Sequence, residues 1–263
     1  MTHRLEVRSA RAAHRRSDTP LLFVHGAWLG SWVWDEQVLP YVAAQGYDAY
    51  AVVSLRGHGA ATGRHAGGPQ YTDYVRDVAL VAGELGPGTV ADRLLHGWLR
   101  GAEVPRGPPP AGGGIGRFGP AHRGAPADAA HRPDPTRDFL EPPATLSLYP
   151  LVEDPAQVHA LMFTPELDPA TAASYQRRLQ DESYLAFLDM LALDLVRPRQ
   201  ITPGPLLVVR AQRDELFPEP AVRATAAAYG TTAVSIPGRP RPHAGDPLAS
   251  AGTLLDWLRP RVG

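Results

Sequence analysis

Eight residues near the start of the 263-residue chain decide its fold: Leu21-Leu22-Phe23-Val24-His25-Gly26-Ala27-Trp28. Four consecutive apolar residues, bounded by Pro20 and by the His-Gly pair, are typical of a short strand that is buried on both faces. Such strands belong to parallel sheets that carry helices on both sides. The glycine permits a tight turn, so the residues after it can lie at the end of the sheet.

Strand and helix patterns alternate downstream of this stretch. The patterns predict a helix over 32–45, broken or restarted at Pro40 and stopped by Gly46, a strand over 47–54, a helix over 71–85 and a strand over 89–95. Alternation of this kind predicts an α/β fold with a mostly parallel sheet and right-handed crossovers.

Regular patterning stops at Gly101 and resumes at Leu146. Residues 101–143 hold 10 prolines and 8 glycines and show neither helical nor strand periodicity, so we predict an irregular Pro/Gly-rich segment in which the next central strand is lost. After it the sequence predicts amphipathic helices over 154–163 and 168–193, a strand over 205–209, a helix over 219–229, a strand over 233–236 and a helix from 253. We expect a single domain, residues 1–263, in which residues 146–200 form an inserted helical lid.

Composition excludes several classes of function. The formal net charge of −1 offers no field that would attract nucleic acid, so we expect the partner to be a small, uncharged molecule. The lack of cysteine excludes thiolate catalysis and disulfides. No apolar run is long enough for a secretion signal or a membrane span, and we predict a cytoplasmic protein.

Three motifs follow predicted strands: His25-Gly26-Ala27-Trp28, Leu55-Arg56-Gly57-His58-Gly59 and Arg213-Asp214-Glu215-Leu216-Phe217-Pro218. In these motifs and their order the chain resembles the α/β-hydrolase superfamily, especially small bacterial esterase and lysophospholipase-like members. The resemblance implies an α/β-hydrolase fold, hydrolysis of a carboxylic ester or thioester through an acyl-enzyme, and no metal or other cofactor.

The resemblance also implies roles for individual residues. The backbone N–H groups of Ala27 and Arg100 would form the oxyanion hole. Asp214 would be the acid that orients the catalytic histidine, and His243 is the histidine available for that role, although its spacing from the preceding turn is unusual. Trp28 is either part of a substrate pocket or part of the core. His58 is expected to belong to a structural turn.

The nucleophile is missing. Gly97-Trp98-Leu99-Arg100-Gly101 has the glycine frame of the family's G-x-S-x-G elbow with leucine at the serine position. Leucine can be neither deprotonated nor acylated, so the chain is predicted to be inactive or severely impaired. The alternative is a protein that binds a small apolar ligand without cleaving it.

Two explanations account for Leu99 and the segment after it. Either the leucine was selected in a degenerate hydrolase, or the region up to Pro143 is G/C-rich coding DNA read out of frame, since alanine, glycine, proline and arginine all have G/C-rich codons. We favour the second explanation, and an unchanged reading frame through codons 90–145 of the gene would exclude it.

Overall fold

A computed structural model of the chain describes residues 5, 7–52, 55–58, 69–86, 89–93, 114–116, 147–163, 167–189, 205–212, 219–237 and 247–262. Within these residues seven strands form one sheet in the order β1-β3-β2-β4-β5-β6-β7. Strand β1 pairs antiparallel with β3, and the other pairs are parallel. The strands are β1 (Val7–Ala10), β2 (Leu21–Val24), β3 (Ala49–Val52), β4 (Val90–Arg93), β5 (Gly114–Gly116), β6 (Leu206–Ala211) and β7 (Ala233–Ile236).

Helices cover both faces of the sheet. They are α1 (Trp32–Asp35), α2 (Val38–Ala44), α3 (Tyr71–Leu85), α4 (Pro155–Met162), α5 (Pro169–Gln176), α6 (Tyr184–Leu188), α7 (Glu219–Ala228) and α8 (Pro247–Leu258), with a 3-10 helix at Tyr149–Val152. Residues 147–163 and 167–189, which lie between β5 and β6 in the chain, are called the helical insertion below.

Strand β2 explains why both faces are covered. Side chains alternate along a strand, and all four of its residues are buried. Leu21 and Phe23 join the core cluster formed with α1, α2 and α8, whereas Leu22 and Val24 join the cluster formed with α3. Burial of each such side chain contributes about 1.5–3 kcal/mol, so this strand anchors two hydrophobic layers.

Several elements confirm the sequence patterns, and some helix boundaries correct them. The closing helix, predicted from residue 253, begins six residues earlier at Pro247, a residue type that the first position of a helix tolerates. Helix α3 and strand β7 have the predicted bounds. The first helical stretch is interrupted at residues 36–37, and α2 restarts at Val38, so Pro40 lies in the first turn of α2. A proline is tolerated there because the first amides of a helix have no partner within it.

The prediction that the central strand would be lost is wrong. Gly114–Gly116 forms β5, which pairs with β4 on one side and with β6 on the other. Ladder hydrogen bonds use only the backbone, so three residues without strand periodicity can still fill a place between two formed strands. The rest of the 101–143 segment lies outside the described residues.

The helix predicted over 168–193 is divided into α5 and α6. Between them side chains bind the backbone amides that a continuous helix would use, since Asp181 accepts from the Glu182 amide and Glu182 accepts from the Ser183 amide, both at 2.9 Å. Ser183 then caps α6 by accepting from the Ala186 amide. The non-helical segment 177–183 contacts the backbone of Trp28, which follows β2.

Candidate functional site

The loop of residues 25–28 follows β2 directly and is fixed at its start by His25. The His25 ring is fully buried, and its Nε2 accepts a hydrogen bond from the Leu55 amide at 3.0 Å. An accepting Nε2 places the ring proton on Nδ1, which donates to the Gly26 carbonyl at 3.0 Å. Burial and the nearby His58 ring lower the pKa of His25 to about 3. His25 is therefore a neutral brace between the ends of β2 and β3.

Ala27 is the predicted oxyanion donor in this loop. The turn is closed by the Leu29 amide, which donates to the Gly26 carbonyl at 3.2 Å. Among the described residues none accepts a hydrogen bond from the Ala27 amide. An amide at the carboxyl end of a central parallel strand is well placed to bind a carbonyl oxygen.

Trp28 ends the loop in a conformation that is unusual for a large side chain, with φ at +60°. Its backbone amide donates to Glu182 Oε2 at 3.4 Å, its carbonyl accepts from the Gln180 amide at 3.0 Å, and its indole Nε1 donates to the Leu148 carbonyl at 3.2 Å. The indole is buried in the core, and a role in lining a substrate pocket stays a prediction.

Glu182 is the centre of a buried polar cluster beside the loop. Its carboxylate accepts from Trp28, from His58 Nε2 at 3.2 Å, from the Tyr74 hydroxyl at 2.8 Å and from the Ser183 amide. Burial alone would raise the pKa of Glu182, but His58 and the hydrogen bonds lower it to about 2. Burial alone would lower the pKa of His58, and the Glu182 carboxylate raises it above its ordinary value. The two side chains form a buried ion pair.

Arg56 holds the turn of residues 55–58 against α3. Its Nε and Nη2 donate to Asp77 Oδ1 at 2.9 and 2.8 Å, and its backbone amide donates to Asp77 Oδ2 at 3.1 Å. Its Nη1 also donates to Asp73 at 3.2 Å. The turn after β3 is therefore fixed to the helix, which places the His58 ring 5.0 Å from that of His25.

Comparison with solved structures identifies the fold. No protein-family model matches the sequence, and no curated protein matches it. One similar solved structure is the bromoperoxidase from Bacillus anthracis, with 14% identity and a TM-score of 0.69 over 97% of this chain and 96% of that one. Another is the esterase EaEST from Exiguobacterium antarcticum, with 14% identity and a TM-score of 0.67 over 97% of this chain and 95% of that one. The thioesterase domain from the curacin biosynthetic pathway is a third, with 15% identity and a TM-score of 0.63 over 97% of this chain and 99% of that one. The protein has the α/β-hydrolase fold. Identities this low establish the fold alone.

The other predicted site residues of the α/β-hydrolase fold are Leu99, Arg100, Asp214 and His243, and all four lie outside the described residues. Their roles stay predictions. The strands that precede them in the chain, β4, β6 and β7, run parallel to β2 within the same sheet, so their carboxyl ends lie at the same edge as residues 25–28.

Sequence reasoning missed Glu182 and Tyr74, and it expected His58 to be structural without finding its partner. Within the described part of the chain, no group of three or more His, Asp or Glu side chains is arranged to hold a metal ion. A search of the same residues finds no helix with the length and apolar character needed to cross a membrane.

Proposed function

We propose that this chain binds small uncharged carboxylic esters or thioesters at the loop of residues 25–28 and hydrolyses them slowly or not at all. The observation that carries the proposal is the Ala27 amide, which follows the central strand β2, has no acceptor among the described residues and is held by buried contacts on both sides. A fixed N–H group of this kind favours a carbonyl oxygen, and favours the oxyanion of its tetrahedral intermediate more strongly.

Hydrolysis would require the full set of predicted residues. A hydroxyl at position 99 would attack the carbonyl carbon, His243 would take its proton with Asp214 orienting the ring, and the Ala27 and Arg100 amides would stabilise the oxyanion. Leu99 has no hydroxyl, and removal of a triad nucleophile typically lowers turnover on the order of a millionfold. Binding can persist because it does not need the nucleophile.

The preference for an apolar acyl group rests on the helical insertion. Phe163, Tyr184 and Phe187 are buried in the same core cluster as Trp28, so the insertion presents an apolar interior toward this loop. A charged acyl chain would lose its hydration in such surroundings without a described partner.

Restoring the hydroxyl tests the proposal. We expect neither fluorophosphonate labelling nor p-nitrophenyl butyrate hydrolysis for the wild-type chain, labelling at residue 99 for Leu99→Ser, and no labelling for the matched control Leu99→Ala. Labelling of a wild-type serine would show that a nucleophile exists elsewhere. Failure of Leu99→Ser to label more than Leu99→Ala would contradict the assignment of position 99.

A further inference from the structure

We propose that Glu182 is a positioning residue for the loop of residues 25–28, because its carboxylate holds the Trp28 backbone in the left-handed turn that leaves the Ala27 amide available to an ester carbonyl. The role of Ala27 in this inference rests on the proposed function. The claim that Glu182 holds the loop concerns the ligand-free protein and can be tested separately.

The loop needs to be held because its conformation is unfavourable. A tryptophan at φ +60° is strained, because the left-handed region crowds the Cβ of any residue other than glycine. The contacts that offset it come from the insertion, where Glu182, Gln180 and Leu148 bind the amide, the carbonyl and the indole N–H. Glu182 is the charged member of this set and accepts from the amide directly after Ala27.

The acceptor count of Glu182 explains why a carboxylate is required. Oε2 accepts from the Trp28 amide and His58 Nε2, and Oε1 accepts from the Tyr74 hydroxyl and the Ser183 amide. A carboxylate can accept all four bonds, whereas a glutamine has one acceptor oxygen and an NH₂ group that would face two of these donors. Either orientation of a glutamine therefore disrupts the cluster.

The cluster also links both ends of the loop. His58 binds Glu182, and its ring lies 5.0 Å from the ring of His25, the first residue of the loop. The protonated His58 compensates the buried carboxylate, so Glu182 keeps its charge in an enclosed site. One carboxylate from the insertion is thus coupled to the first and the last residue of the loop.

A single amide reports on this arrangement. Ala27-Trp28 is the only Ala-Trp step in the sequence, so protein labelled with ¹³C-carbonyl alanine and ¹⁵N-tryptophan gives one cross-peak in a carbonyl-to-amide correlation spectrum. Without ligand, we expect Glu182→Gln to move this peak. Glu153→Gln, which alters an exposed carboxylate of the insertion, should leave it in place. Tyr74→Phe should lower stability yet also leave the peak in place, because Tyr74 binds the other carboxylate oxygen.

Affinity provides the second readout. Glu182→Gln should weaken methyl butanoate binding about tenfold, which corresponds to one lost hydrogen bond. Glu153→Gln should not change it. Glu182→Asp is the second variant if the glutamine variant does not fold, since it keeps the charge beside His58 while the shorter side chain withdraws from Trp28.

The outcomes separate the two proposals. The positioning role would be overturned if the Ala27-Trp28 cross-peak stayed in place in both Glu182 variants, or if it moved equally in Tyr74→Phe. Neither result depends on whether the protein binds the ester. A wild-type protein that does not respond to methyl butanoate would contradict the proposed function and leave the ligand-free result for Glu182 standing.

Discussion

Replacement of Arg56 by methionine should destabilise the fold strongly, because it leaves the buried Asp77 carboxylate without its guanidinium partner. The Asp77 side chain is 2% exposed and the Arg56 side chain 18%. Methionine keeps most of the apolar stem but removes the Nε and Nη2 donors. Among the described residues, the Arg56 backbone amide is then the hydrogen-bond partner left to Asp77. Breaking a buried pair typically costs 3–5 kcal/mol, and the remaining amide bond and partial exposure place the expected loss near the lower end, at about 3 kcal/mol.

Urea unfolding followed by circular dichroism measures this loss, which should lower the midpoint by about 1 M for a chain of this size. Arg76→Met is the control: Arg76 lies on α3 itself and contacts Asp73 one turn away at 3.3 Å, but its side chain is 71% exposed. We expect Arg76→Met to lower the free energy of unfolding by at most about 0.5 kcal/mol. Replacing Asp77 together with Arg56 by apolar residues should recover part of the loss. Equal midpoints for Arg56→Met and Arg76→Met would refute the reasoning.

Three further predictions concern the acid stability that His25 confers and the replacement of two glycines by alanine. Because the pKa of His25 is lowered to about 3, its stabilising contribution is present above its unfolded pKa of 6.5 and is lost as pH falls toward 3. His25 should therefore lower the free energy of unfolding by about 1.2 kcal/mol between pH 6 and 5. The free energy of unfolding of a His25→Asn variant should fall less steeply with pH than that of the wild type, and an equal slope would contradict this. Gly46→Ala should cost about 1–3 kcal/mol, since φ is +93° and a Cβ would lie 2.8 Å from the Arg16 Cβ. Gly83→Ala, a helical site with nothing within 4 Å, should instead raise the melting temperature, and a lower melting temperature would count against the assigned helix.

Local patterns were sufficient for the elements that carry a strong periodicity of their own. Strand β2, helix α3 and strand β7 follow directly from apolar spacing and from the residues that flank them. Strand β1 was not predicted because its residues are mostly exposed and it forms by pairing with β3. Strand β5 was missed for a related reason, since its place depends on two neighbouring strands rather than on its own residues.

The candidate site divides in the same way. The loop of residues 25–28 could be found because a buried strand followed by His-Gly is a local signal. Glu182 could not be found, because its partners Trp28, His58 and Tyr74 are 154, 124 and 108 residues away in the chain. A glutamate among helical residues normally indicates an exposed face, and only the folded chain brings these three donors around it.

The response of the Ala27 amide to an ester tests the central claim most directly. The sequence contains four Gly-Ala steps, so protein labelled with ¹³C-carbonyl glycine and ¹⁵N-alanine gives four cross-peaks, and loss of one in Ala27→Ser assigns the Gly26-Ala27 step. We predict that methyl butanoate shifts this peak more than the other three, and that 1-methoxybutane, which lacks the carbonyl, does not. The account would be contradicted if methyl butanoate did not shift the Gly26-Ala27 cross-peak, or if 1-methoxybutane shifted it equally.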